Sequence, residues 1–178
     1  MTTTTARAMS LALGEPAPRP GPPPTPDFAI TFDVRGRPVP QGGLVRSPAG
    51  GLYHKRRPEL LAWRLRIATA AEEAMAGIPP ITGAVGVSIV FRFSRPNAHW
   101  LPANSSRPEP VLRADAPVWH TTTPDADKVL RACLDSLTSV VFADDALVAD
   151  VHVVKRYVEP GEAPGIRGTV RSLAGGSR

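Results

Sequence analysis

Between Asp125 and Asp145 five aspartates lie in and around a stretch that is otherwise largely apolar. It runs Pro124-Asp-Ala-Asp-Lys-Val-Leu-Arg-Ala-Cys-Leu-Asp-Ser-Leu137 and resumes at Val141-Phe-Ala-Asp-Asp-Ala-Leu-Val148. Ionised carboxylates do not enter a core unpaired, so the fold must turn the apolar positions inward and the acids outward or toward a cation. Val129, Leu130, Cys133, Leu134 and Leu137 share one arc at helical spacing, which predicts a helix of about twelve residues. Asp127, Arg131 and Asp135 sit four apart on an adjacent polar face. Asp125 and Asp127 stand at the start of that helix, where free backbone N–H groups keep carboxylates ionised. Asp144 and Asp145 mark a turn before an extended run, Leu147 to Tyr157. If that strand lies beside the helix, both acid pairs meet at one corner.

Clustered carboxylates repel one another, and a hard dication is the usual compensation. Magnesium prefers oxygen ligands, keeps several waters, and commonly uses a few carboxylates plus phosphate oxygens. Two such ions about 4 Å apart can stabilise the attacking and leaving oxygens of a phosphodiester displacement. Arg131, one turn after Asp127, is placed to balance charge on such a phosphate. The plainer alternatives are a helix cap for the first pair and ordinary turn chemistry for the second. Asp135 reads as a solvated helix residue or a partner for Arg131. Lys128 reads as a solvated or phosphate-contacting side chain, and His120 first as an ordinary polar strand residue, with a DNA contact as the alternative. His54, His99 and His152 lack metal-ligand spacing. Trp63, Trp100 and Trp119 read as core or loop anchors.

The remaining chain suits one domain with a single core. Residues 1–27 are crowded with proline and poor in large apolar side chains, which predicts a polyproline-II or disordered tail; residues from about 174 onward are similar. Phe28 to Val34 alternates as a strand, and Pro58 to about Ala76 carries helical spacing. Val85 to Phe93 is a second strand, Ser94 to Pro117 a loop, Val118 to Thr122 a short strand, and Gly168 to Leu173 an edge strand. The Gly- and Pro-rich segment Arg35 to Arg57 reads as a long basic loop or irregular hairpin turning at Gly50-Gly51. Its cations Arg46, Lys55, Arg56 and Arg57, with Lys128, are the expected phosphate contacts. The formal charge of +5 suits a polyanionic partner. One cysteine, Cys133 in an apolar run, excludes an internal disulfide and a zinc ribbon. No apolar run approaches the roughly 18 residues of a membrane span, and no signal peptide opens the chain, so a soluble cytosolic protein is expected.

The acid run, Pro124-Asp125-Ala126-Asp127-Lys128-Val129-Leu130-Arg131, then Leu134-Asp135-Ser136-Leu137, Asp144-Asp145-Ala146-Leu147-Val148 and Val153-Val154-Lys155, resembles the RusA family of Holliday junction resolvases. The likeness extends loosely over residues 28–173 and is specific over 124–155. It implies an α/β fold of the α+β type, a mixed sheet with two main helices packed on it, in a homodimer. It implies a magnesium- or manganese-dependent endonuclease that makes paired cuts in four-way DNA junctions, in the cytoplasm of a bacterium hosting a phage or prophage. Carried over by position, Asp125, Asp127 and Asp145 are metal ligands with Asp144 in support. Arg131 stands where the family usually has a catalytic lysine, and arginine suits electrostatic stabilisation better than proton transfer. Lys128 replaces a frequent asparagine, and Pro40-Gln41-Gly42-Gly43 replaces an Asn-containing stretch. The competing readings are a non-catalytic DNA-binding protein of the same fold and, more weakly, a metal enzyme acting on nucleotides, which lacks a Gly-rich phosphate loop here.

Overall fold

The structure is a computed structural model describing residues 28–42, 44–46, 48, 50–54 and 57–173. Both expected tails, and Lys55 and Arg56 of the basic loop, lie outside the described residues. In chain order the elements are β1 (Ala29–Arg35), β2 (Leu44–Arg46), β3 (Leu52–His54), α1 (Arg57–Met75) and β4 (Val85–Phe93). There follow β5 (Trp100–Leu101), β6 (Val111–Leu112), α2 (Ala126–Leu137), β7 (Val148–Tyr157) and β8 (Gly165–Ser172). The main sheet has the order β1-β8-β4-β7. β8 runs antiparallel to both β1 and β4, whereas β4 and β7 are parallel. The expected α+β architecture, a mixed sheet with two helices, is therefore present. Strands β2 and β3 pair as the hairpin anticipated in the basic segment.

Two elements depart from their sequence reading. The segment expected as an edge strand is β8, an inner strand between β1 and β4. Its glycines explain the weak signal: a Cβ on Gly168 would lie 2.3 Å from the Phe32 ring, so the strand holds that ring where a side chain would stand. The loop after β4 contains a short 3-10 turn, Asn97–His99, and the β5–β6 ribbon. Of the strand expected at Val118 to Thr122, Trp119 makes one isolated bridge to Arg156.

Residues paired across a sheet share a face. One row reads Phe32, Gly168, Ile89, Val153 and the next Val34, Ile166, Phe91, Lys155. This face meets the helices. Leu60, Trp63, Ile67, Ala71 and Met75 of α1 repeat at three and four residues and are buried; Leu61 and Leu65 are exposed. On α2 the buried set is Val129, Ala132, Cys133, Ser136 and Leu137, rotated slightly from the arc read in the sequence. Leu130 and Leu134 are half-buried at its margin. Cys133 has no solvent access, and burial pushes its thiol pKa far up, as an inert core thiol requires. The opposite face carries Arg92, which bonds Asp33 at 2.7 Å, and Arg156, which forks onto Glu162 at 2.6 and 2.7 Å.

Candidate functional site: two acid pairs and a cation-lined cleft

Helix α2 begins at Asp125, whose carbonyl accepts from Val129 N–H at 3.3 Å. Its carboxylate makes no capping bond. It faces Lys128 instead, one turn along, and this ammonium holds the Asp125 carboxyl below its ordinary pKa. The cap that sequence alone made the plainest role for Asp125 is thus absent, and a fully ionised oxygen pair is presented to solvent. Asp127, in the first helical turn, is exposed beside it, and Arg131 is exposed one turn further. Among the described residues Arg131 forms no ion pair. Asp135 pairs with Arg64 of α1 at 3.4 Å rather than with Arg131.

The segment leading to Asp125 is fastened to the end of β7. His120 N–H donates to the Lys155 carbonyl at 3.1 Å, and the Lys155 ammonium donates to the carbonyls of Thr122, at 2.9 Å, and Pro124. Lys155 occupies a core-facing position in the same row as Phe91 and Ile166, and burial lowers its pKa. The His120 ring stacks on Phe93 with centroids 3.9 Å apart and tilts against Tyr157 at 5.0 Å. Burial, then the Lys155 charge, lowers the His120 pKa, favouring the neutral ring. Its Nδ1 is shut off from solvent with no partner among the described residues, an arrangement that costs about 1–3 kcal/mol when nothing fills it.

These groups border a cleft of about 560 Å³ where the chain ends of β1 and β4 approach the start of α2. Arg37, Pro38 and Pro40 line one side; Phe93 and His120, then Asp125 and Lys128, line the others. The loop carrying the two prolines is tied to the helix by Gln41 N–H donating to the Lys128 carbonyl at 2.9 Å.

Asp144 and Asp145 lie elsewhere. Asp144 accepts from Ala146 N–H at 2.8 Å and caps a 3-10 turn, Asp145–Leu147, that leads into β7. β7 then runs from this turn, beside Val85, to Lys155 under Pro124. Seven strand steps of about 3.3 Å separate its start from the first acid pair, and the twelve residues of α2 span about 18 Å between the same two ends. The expectation that one chain folds all four acids to one corner is not met. A parallel-running helix would have been needed, and the tight reversal at Thr138 to Phe142 returns β7 in the opposite sense. Among the described residues no three His, Cys, Asp or Glu side chains of one chain gather as a metal site. The donors on offer are nevertheless all carboxylate oxygens, the chemistry a hard dication takes.

Of the expected phosphate contacts, Lys128 borders the cleft, Arg57 is exposed at the first residue of α1, and Arg46 lies in the β2–β3 hairpin. Three residues were undervalued in the sequence. Arg37 lies in the segment read only as a long basic loop or irregular hairpin, His120 is a buried wall, and Lys155 is the anchor of the Asp125 segment. Lys155 did carry a signal, because it interrupts the alternating apolar series Val151, Val153, Tyr157. Trp63 is a core anchor as read and Trp100 is half-buried, whereas the Trp119 side chain is 61% exposed.

Acids at a helix start, a cation-lined cleft and a mixed sheet define a small α+β domain suited to phosphate chemistry. The model of the RusA endodeoxyribonuclease family matches residues 36–167, and the chain belongs to that family. It is also 26% identical over 130 residues to the uncharacterized protein YqaN of Bacillus subtilis strain 168, covering 73% of this chain and 89% of that protein.

Proposed function

We propose that this chain is a divalent-metal-dependent endonuclease that resolves four-way DNA junctions as a homodimer. The observation that carries the reading is the membership of the RusA family with the acid run of that family intact. Asp125 and Asp127 from one copy, with Asp145 and in support Asp144 from the other, hold magnesium or manganese. The separation just described supports a site completed by a second copy, since the pairs stand at opposite ends of α2. A twofold axis between antiparallel copies joins each pair to its complement twice, giving two centres for two strands. When bound, the dication neutralises the phosphodiester and polarises its oxygens. Arg131 projects from the same exposed face of α2 as Asp127 and balances charge gathering on the phosphate. Lys128 keeps Asp125 ionised and, with Arg46, Lys55, Arg56 and Arg57, holds neighbouring phosphates.

The test is incubation of the protein and magnesium with a four-way junction and with a linear duplex of the same sequence. Paired incisions in the junction, few in the duplex and none in EDTA are expected. Junction binding without cleavage under any divalent ion would instead leave a DNA-binding protein that has kept the fold.

A further inference from the structure

We infer that the cleft beside Asp125 receives one unstacked nucleotide of the cleaved strand and that His120 reads its base. The inference rests on the nuclease reading and adds a specificity element to it. At about 560 Å³ the cleft is in the size range of pockets that bury small organic ligands, and a single nucleotide fits that class. Its walls divide as such a ligand does. Pro40 and the edge of Phe93 offer apolar surface to a base, with Pro38 buried behind them, while the exposed Arg37 and Lys128 offer charge to its flanking phosphates.

The second, independent observation is His120. The residue is only 9% exposed, its ring forms part of the cleft wall, and its Nδ1 lacks a partner. Its other nitrogen is 3.4 Å from the Thr122 hydroxyl, so Nδ1 is the unpaired one, and a base edge meets it by displacing the atoms that now cover it. A neutral imidazole offers one donor and one acceptor, enough to distinguish base edges. Stacking on Phe93 and the backbone bond to Lys155 fix the ring's orientation. Junction arms meet where stacking is already interrupted, which lowers the cost of extruding a base.

The experiment uses the full chain in EDTA with junctions carrying 2-aminopurine at successive positions around the branch point. Gel shifts of the same samples establish saturation. A severalfold fluorescence rise confined to the position flanking the cut is expected, with little change at distant positions. Ser94→Trp, which places a bulky ring at an exposed position of the wall, should abolish the rise while the variant keeps the parent Tm. Excess free deoxynucleoside monophosphate should leave the rise unchanged if the nucleotide must be part of a strand. His120→Gln should alter the ranking of cut sites in a junction with a mobile branch point. A uniform or absent signal with a protein that binds and cuts junctions overturns the base pocket alone. So does an unchanged rise in Ser94→Trp. Failure to bind branched DNA at all overturns the pocket and the nuclease reading together.

Discussion

Lys155 donates its ammonium to the carbonyl of Pro124, the residue directly before Asp125. A charge at an inward strand position is costly, and the chain retains it where it clamps the entry to α2 through two carbonyls. The bond couples the end of β7 to the position of a carboxylate proposed to hold metal.

Lys155→Met keeps the length of the side chain and removes the donors. Misplacing a reacting group by about 1 Å can cost on the order of a hundredfold, so kcat for junction cleavage should fall at least about tenfold. Metal-free junction affinity should stay within about threefold, equivalent to about 0.6 kcal/mol. Lys155→Arg should recover much of kcat. A folded Lys155→Met protein with wild-type kcat would show that the clamp has no bearing on the site.

Asp127→Asn and Asp135→Asn separate two acids on the same helix. Asp127 is exposed and has no ion pair among the described residues, so losing its charge should cut cleavage at least about a hundredfold. Junction binding in EDTA should persist or tighten, since a negative charge near the phosphates has gone. Asp135 pairs with Arg64 on a partly exposed surface, worth at most about 1 kcal/mol, and its variant should keep most activity. Gel shifts in EDTA and cleavage in magnesium measure both; near wild-type cutting by Asp127→Asn would remove that residue from the site.

Glu162 sets a pH limit on stability. Its fork with Arg156, aided by the Glu159 N–H and Arg92, pulls its pKa from 4.5 to about 2. A depressed folded-state pKa stabilises the protein above the unfolded value, and the gain is lost as pH falls from about 4.5 through about 2. Glu162→Gln should therefore destabilise at pH 7 by about 2 kcal/mol and flatten the stability curve in that window. Urea unfolding at pH 7, 4 and 2.5 reads it. Parallel curves for the two proteins would assign the acid loss to other carboxylates.

Much of this arrangement was legible because local spacing decides it. The apolar repeat in α2 and the alternation in β1 specify both their type and their buried side. Long-range order was not legible. Nothing local in Gly165 to Ser172 reveals an inner strand, because its position follows from the fit of Gly168 against Phe32. The acid pairs were read as neighbours from sequence proximity, but proximity across a helix depends on the direction of return. Thr138 to Phe142 supplies that direction through a reversal with Ser139 at φ 66°. His120 and Lys155 escaped for the same reason: their roles come from contacts with Phe93 and Pro124 far along the chain.

The separation of the acid pairs makes the sharpest prediction. If Asp127 of one copy works with Asp145 of the other, a dimer of one Asp127→Asn chain and one Asp145→Asn chain holds one intact centre and one doubly altered centre. Random exchange makes roughly half of the dimers mixed, so combined nicking should recover to about a quarter of wild type. The product should be single-strand nicks rather than resolved duplexes, since each mixed dimer cuts one strand. If both acids served within one chain, every centre in the mixture would lack one ligand, and activity would remain at the level of the separate variants. The two proteins are mixed under conditions that permit subunit exchange, diluted into magnesium and assayed on a nicked-product gel. Recovery sustains assembly of the site between copies, and its absence in a mixture shown to contain mixed dimers rejects it.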